Sequence, residues 1–349
     1  MRALAVLLSS LALVLAACGG GGEAKRPAST AVVIVSGGDA TSPFTTPDQA
    51  CATGLAAGNS DTALREYLLG KGYTVYTSPA MAGRGQVVDQ TGFGAFGVCP
   101  VTLPENMTVN STGSIDTAGE HLARFLNWLH TDKGVNEVDF VAHSMGGLYS
   151  RAAIRVLTTT NSPVKVRSLT TIGTPWQGSY LSDYANGLLP LTDCLGDKLC
   201  ETGMKSMADE VKRLMAGSGR EVNQAYLMGK DGWNEFQSGV LDKTPVVLIA
   251  GKKFNPPSSS AGKINPAVWP NDGIVALQSA LAVDIGDPVL PHRRCYTFDD
   301  THSIYVSNAA GLEWKTALTW DPQVFDVVRE AIENAPKALD GPNREGCPS

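Results

Sequence analysis

At 349 residues, with 43% hydrophobic and 18% charged positions, the chain is long enough to bury a large core and too apolar for a disordered one. The formal net charge of −6 comes without any block of Lys or Arg, which argues against nucleic acid as a partner. The first segment reads as an address rather than as fold. Arg2 precedes an apolar run, Ala3 to Ala17, too short to span a bilayer comfortably and of the length of a signal core. Gly19 to Thr30, rich in Gly, Ala, Ser and Pro, reads as a flexible tether.

Ala31 to Val35 is a continuous β-branched run, the mark of a strand buried on both faces of a parallel sheet. It stops at Ser36-Gly37-Gly38-Asp39. Leu64, Tyr67 and Leu68 fall at helical spacing before Gly70 and Gly72, and Tyr73 to Thr77 reads as the second strand. Met81 to Ser114 has no steady period and reads as a long loop. Thr117 to His130 is the clearest helix: Thr117 with Glu120 forms a capping-box pattern, and Leu122, Phe125, Leu126 and Leu129 make one apolar stripe.

An apolar strand, Val138 to Ala142, follows at once and breaks at His143-Ser144-Met145-Gly146-Gly147, after which a helical pattern resumes through Leu148, Ala152, Ile154 and Val156. Strand, one sharp residue and helix are the order of a nucleophile elbow, and the positions two before and two after the serine, Ala142 and Gly146, are small. Val166 to Ile172 is the next strand and runs into Gly173-Thr174-Pro175-Trp176-Gln177-Gly178-Ser179. About seventy residues separate it from the strand Val246 to Ala250, and that insertion, residues 177–243, is the candidate cap or lid. Within it Met204, Met207, Val211, Leu214 and Met215 form one stripe, which suits the insertion's own core or the binding of flexible chains. Arg294 to Phe298 is the last strand, and Pro322 to Ala335 an amphipathic helix started by Asp321-Pro322.

These motifs resemble the α/β-hydrolase superfamily and, within it, bacterial secreted lipases and esterases that carry Ala before the elbow. The resemblance covers roughly residues 31–335 through four short motifs. It implies an α/β fold with a mostly parallel central sheet, helices on both faces and a helical cap. Ser144 corresponds to the nucleophile, and the amides of Gly38 and Met145 to the oxyanion hole, with Ser36 standing where those lipases carry His. Pro270-Asn271-Asp272-Gly273-Ile274-Val275 resembles the stretch that holds the catalytic acid, which assigns Asp272. Only His292 and His302 follow Ser144, and His302 sits in the loop after the final strand, where the family places its base. Trp176 replaces a His of the related lipases, with the pocket lining expected to change. His143 is expected to point away from the site. No calcium ligand is carried over, and neither metal nor cofactor is expected.

Leu15-Ala16-Ala17-Cys18 looks like the lipobox of bacterial lipoproteins, which implies cleavage before Cys18, its lipidation, and attachment of an exported protein to a membrane of the cell envelope. Six further cysteines, Cys51, Cys99, Cys194, Cys200, Cys295 and Cys347, form an even set suited to disulfides. Fifteen pairings are possible; chain order suggests Cys51–Cys99, Cys194–Cys200 and Cys295–Cys347. The expected activity is hydrolysis of lipid-like carboxylic esters through a Ser-His-Asp triad. A phospholipase or an envelope acyltransferase would show the same residues, and a non-catalytic surface protein would keep the fold.

Overall fold

A strand whose residues are apolar on both faces needs helices on both sides of its sheet. The computed structural model describes residues 29–51, 61–88, 99–214, 218–258, 264–339 and 344–348; the apolar run expected to be a signal, Cys18 and the expected tether up to residue 28 lie outside the described residues. The chain opens with β1 (Thr30–Val35), α1 (Thr62–Gly70) and β2 (Val75–Thr77). A short pairing of β3 (Ala80–Met81) with β4 (Val109–Asn110) organises part of the expected long loop. Then come α2 (Ile115–Lys133), β5 (Glu137–His143), α3 (Gly146–Thr159) and β6 (Lys165–Ile172). A helical segment with α4 (Tyr180–Ala185), α5 (Lys198–Leu214), α6 (Ser218–Glu221) and α7 (Gln224–Met228) leads to β7 (Val246–Gly251). The chain closes with α8 (Leu277–Ala280), β8 (Arg293–Phe298), α9 (Ile304–Ala309), α10 (Pro322–Asn334) and β9 (Arg344–Glu345).

Among the described residues, seven strands pair in the order β2-β1-β5-β6-β7-β8-β9, every pair parallel. Along β1 the side chains alternate: Val32 and Ile34 pack with α1 and α10, whereas Val33 and Val35 pack with α2 and α3. Each face is thus a separate apolar layer, and the loops that could carry chemistry gather at the carboxyl ends of the strands.

Two helix starts show how local pattern and tertiary contact divide the work. α10 begins as its sequence predicts, with Pro322 in the first turn and the Asp321 carboxylate accepting the Gln323 amide at 2.8 Å. α2 begins at Ile115, two residues ahead of the expected capping box, because the Ile115 amide donates to the Glu221 carboxylate of α6 at 2.7 Å. Gly134, left-handed at φ 69°, closes it.

Among the described residues, the disulfides Cys51–Cys99, Cys194–Cys200 and Cys295–Cys347 are formed. The first ties the loop after β1 to the segment before β4; the last holds the carboxyl end against β8. Cys194–Cys200 lies inside the β6–β7 segment, in a small apolar cluster with Tyr180, Leu181, Met204, Val268 and Trp269. Met204 is fully buried there and Met207 packs against it, so these two members of the stripe serve that cluster. Among the described residues, no helix is long and apolar enough to cross a membrane.

Candidate active site

Ser144 sits at the break between β5 and α3 with φ at +54°. A residue with a Cβ in this left-handed region costs roughly 1–2 kcal/mol, so the surroundings must enforce it. They do so from three sides. The Ser144 amide donates to the Ile172 carbonyl at 2.8 Å, and the Thr174 hydroxyl donates to the Ser144 carbonyl at 2.7 Å. α3 crosses so close to the end of β1 that a Cβ on Gly146 would fall 2.4 Å from the Val35 carbonyl oxygen. The Ala142 methyl is accommodated fully buried.

The loop after β1 lies against this turn. A Cβ on Gly37 would stand 2.5 Å from Ser144 Cβ and 3.1 Å from Ser144 Oγ, and one on Gly38 would meet Met145 Sδ at 2.5 Å. Gly38 and Met145 are therefore neighbours across the top of the turn. Asp39 follows in a left-handed conformation; burial and the Glu210 carboxylate push its carboxyl up while Arg213 opposes them, so the end of α5 stands near this loop.

Asp272 and His302 meet from opposite sides of a long excursion. After β7 the chain leaves and folds back, with Phe254 and Asn271 exchanging both backbone hydrogen bonds at 2.9 Å. This returns Asp272 to the end of β7, where a Cβ on Gly251 would lie 2.8 Å from Asp272 Cβ. One carboxylate oxygen, Oδ1, accepts the amides of Ile274 at 2.9 Å and Val275 at 2.7 Å. The other, Oδ2, lies 2.8 Å from His302 Nδ1, and the His302 amide donates to the Asp272 carbonyl at 2.8 Å. Both side chains are buried.

Gly173 joins the two halves. It follows Ile172, the partner of the Ser144 amide, and a Cβ on it would lie 3.0 Å from His302 Nδ1 and 3.2 Å from Asp272 Oδ2. The Ser144 turn and the Asp272–His302 pair thus both adjoin the Ile172–Gly173 end of β6, and Gly38 adjoins Met145.

Several contributors were not legible as such. His143, expected to point elsewhere, lies with Nε2 3.0 Å from the His302 carbonyl and its ring 4.7 Å from the His302 ring. Burial and the neighbouring His302 push it down to about 3, so near neutrality it is an uncharged donor to that carbonyl. Trp176 is wholly buried: its indole donates to the Thr171 hydroxyl at 3.1 Å and its ring lies 4.3 Å from the Arg151 guanidinium. It serves the packing between α3 and the β6–β7 segment. Thr174 was visible only as part of a motif, not as the donor to the Ser144 carbonyl. Among the described residues, no group of three or more His, Cys, Asp or Glu side chains could hold a metal ion.

A parallel sheet covered on both faces, with a strained serine after β5 and an Asp–His pair after β7 and β8, defines an α/β-hydrolase fold. The family model described as "Putative serine esterase (DUF676)" matches residues 98–193, the stretch that contains Ser144 and the Thr174 clamp. A triacylglycerol lipase of Pseudarthrobacter phenanthrenivorans is 37% identical over 71 residues, 20% of this chain and 21% of that protein. A triacylglycerol lipase of Burkholderia plantarii is 37% identical over 71 residues, 20% of this chain and 18% of that one. The chain thus matches about a fifth of the length of these curated relatives. Among solved structures, the mature lipase BlEst2 of Bacillus licheniformis is 17% identical with a TM-score of 0.45, covering 89% of this chain and 95% of that one.

Proposed function

We propose that this chain is an exported, lipid-anchored serine ester hydrolase acting on lipid-like carboxylic esters. The observation that supports this reading is the buried Asp272–His302 pair in the loops after β7 and β8, on the same sheet edge as a serine held at positive φ. In this reading Ser144 Oγ attacks the ester carbonyl carbon while His302 Nε2, the ring nitrogen opposite the one held by Asp272, takes the hydroxyl proton. The carbonyl oxygen becomes an oxyanion between the amides of Gly38 and Met145. Collapse breaks the bond to the alcohol oxygen, which leaves with the proton from His302. Water then adds to the acyl-serine by the same route in reverse, releasing the acid and restoring the hydroxyl.

Asp272 orients the imidazole and stabilises its protonated form. The match to an esterase family and to stretches of two triacylglycerol lipases supports an ester as substrate. Lipidation at Cys18, a tether over residues 18–30 and a cap over residues 177–243 complete the proposal. Purified protein should hydrolyse p-nitrophenyl butyrate and be labelled stoichiometrically by a fluorophosphonate probe. Ser144→Ala should abolish both; hydrolysis that survives the substitution would refute the assignment.

A further inference from the structure

The first turn of α1 and the residue before it turn two buried ionisable groups, Asp61 and Arg65, toward one loop. Asp61 Oδ2 accepts the Ser36 hydroxyl at 2.5 Å, and Ser36 Oγ lies 2.7 Å from Ser42 Oγ. Arg65 donates from Nε to the Thr45 hydroxyl at 3.1 Å and from Nη2 to the Thr46 carbonyl at 2.6 Å. Each binds a different point of residues 36–46, so α1 grips that loop at both ends. Taking two ionisable groups out of water costs more than tethering an ordinary surface loop requires.

What this loop carries explains the expense. Ser36 immediately precedes Gly37 and Gly38, the two residues that lie on Ser144 and Met145. A Gly-Gly pair has no side chains with which to hold itself, so its position is set by its flanks. Downstream, the Asp39 amide donates to the Ser111 carbonyl at 3.3 Å and the Ser111 hydroxyl donates to the Ala40 carbonyl at 2.7 Å. Upstream, the side-chain anchor is the chain of Ser42, Ser36 and Asp61. An oxyanion donor works only within a few tenths of an ångström of its ideal place.

We propose that Asp61 is a positioning residue of the oxyanion hole, acting through the Ser36 hydroxyl to fix where the Gly38 amide stands above Ser144. The inference rests on the serine hydrolase reading above. Burial pushes the Asp61 carboxyl up to about 7, with the Ser36 bond opposing. The same three heavy atoms can stay bonded in either protonation state, since the hydroxyl protons reverse direction along the chain. An amide at position 61 keeps an acceptor oxygen and should preserve the anchor.

The test is steady-state kinetics on p-nitrophenyl butyrate with Asp61→Ala, Ser36→Ala, Asp61→Asn and, as a stability control, Leu68→Ala. Leu68 is a buried residue of the same helix whose packing lies in the layer with α10, away from the loop. Asp61→Ala and Ser36→Ala should lower kcat by ~10–100-fold with KM changed less than ~3-fold, because the lost contact matters in the transition state. The inhibition constant of a trifluoromethyl ketone, which forms the tetrahedral adduct, should rise by the same factor as kcat falls. Asp61→Asn should recover kcat to within ~3-fold, whereas Leu68→Ala should lower Tm and leave kcat unchanged. Wild-type kcat in Ser36→Ala and in a folded Asp61→Ala refutes the anchor alone, as does an equal loss of kcat in Leu68→Ala. Should Asp61→Ala not fold, Ser36→Ala, which removes one hydroxyl, decides. A wild-type protein without esterase activity refutes the parent reading and the anchor with it.

Discussion

Replacing Asp272 by Asn should silence the site by reversing one hydrogen bond, and the structure dictates which way the amide turns. Asp272 Oδ1 accepts two backbone amides, from Ile274 and Val275. Only a carbonyl oxygen can take that place, since an NH2 there would face two donors at under 3 Å. The Asn nitrogen is therefore driven to the Oδ2 position, 2.8 Å from His302 Nδ1. As a donor it requires Nδ1 to accept, which moves the ring proton to Nε2 and leaves the imidazole unable to take the Ser144 proton. In enzymes with this constellation the corresponding change lowers kcat by ~10⁴-fold, equivalent to ~5–6 kcal/mol of barrier. The backbone bonds from Asp272 N to Val275 O and from His302 N to Asp272 O persist, so Tm should stay within a few degrees. Measuring kcat for p-nitrophenyl butyrate beside thermal unfolding tests this. A variant folded like the wild type and within ~10-fold of its kcat would show that Asp272 does not set the tautomer of the base.

Two further outcomes follow from buried groups near the site. His143→Phe removes the donor to the His302 carbonyl and should cost ~1–3 kcal/mol of stability in urea unfolding. The acid limb of its pH–rate profile should stay in place, because His143, pushed down to about 3, is already neutral there; a displaced limb would contradict that. For Asp61 the folded-state value, about 7, lies above the ordinary 3.8, so the native state binds its proton more tightly than the unfolded chain. Its contribution is complete below pH 3.8 and is lost as pH rises toward about 7, by on the order of 4 kcal/mol. Asp61→Asn removes that dependence, so the stability of the variant relative to wild type should rise between pH 4 and pH 8. Asp183 and Asp300, also pushed up by burial, titrate alike in both proteins and cancel in the difference. A pH-independent difference in unfolding free energy would show that Asp61 is ionised throughout.

How much of this was legible in the sequence depended on whether the determinant was a covalent neighbour. The two faces of β1, the break at Ser144 and the Asp321-Pro322 start of α10 are each written within five or six residues, and the structure has them where the pattern put them. The start of α2 is set by Glu221, more than a hundred residues away, and the local capping pattern misplaced it by two. His143 was misjudged for a related reason. Alternation along a strand says which face a side chain takes, but what waits there, the His302 carbonyl, comes from a loop 159 residues later. The grip of Asp61 on Ser36 leaves no periodic trace at all.

The proposed site of Ser144, Asp272 and His302 stands between these cases, because sheet order fixes which loops share an edge. β5, β6, β7 and β8 are adjacent and parallel in that sequence, in keeping with the tendency of consecutive elements to lie side by side. Every loop leaving a carboxyl end therefore emerges on the same edge, at the place of its strand in the row. Register then sets the depth: His143 pairs with Ile172, Ile172 with Ile249 and Ile249 with Tyr296, so β7 and β8 run two residues further before their loops begin. An elbow after β5, an acid after β7 and a histidine after β8 can then miss only by what their own loops do. For Asp272 that means the long excursion between Phe254 and Asn271, and two backbone hydrogen bonds between those residues bring it back. The reach of sequence reasoning here is the reach of strand order; beyond it, the amides, hydroxyls and carboxylates that hold each loop must be seen.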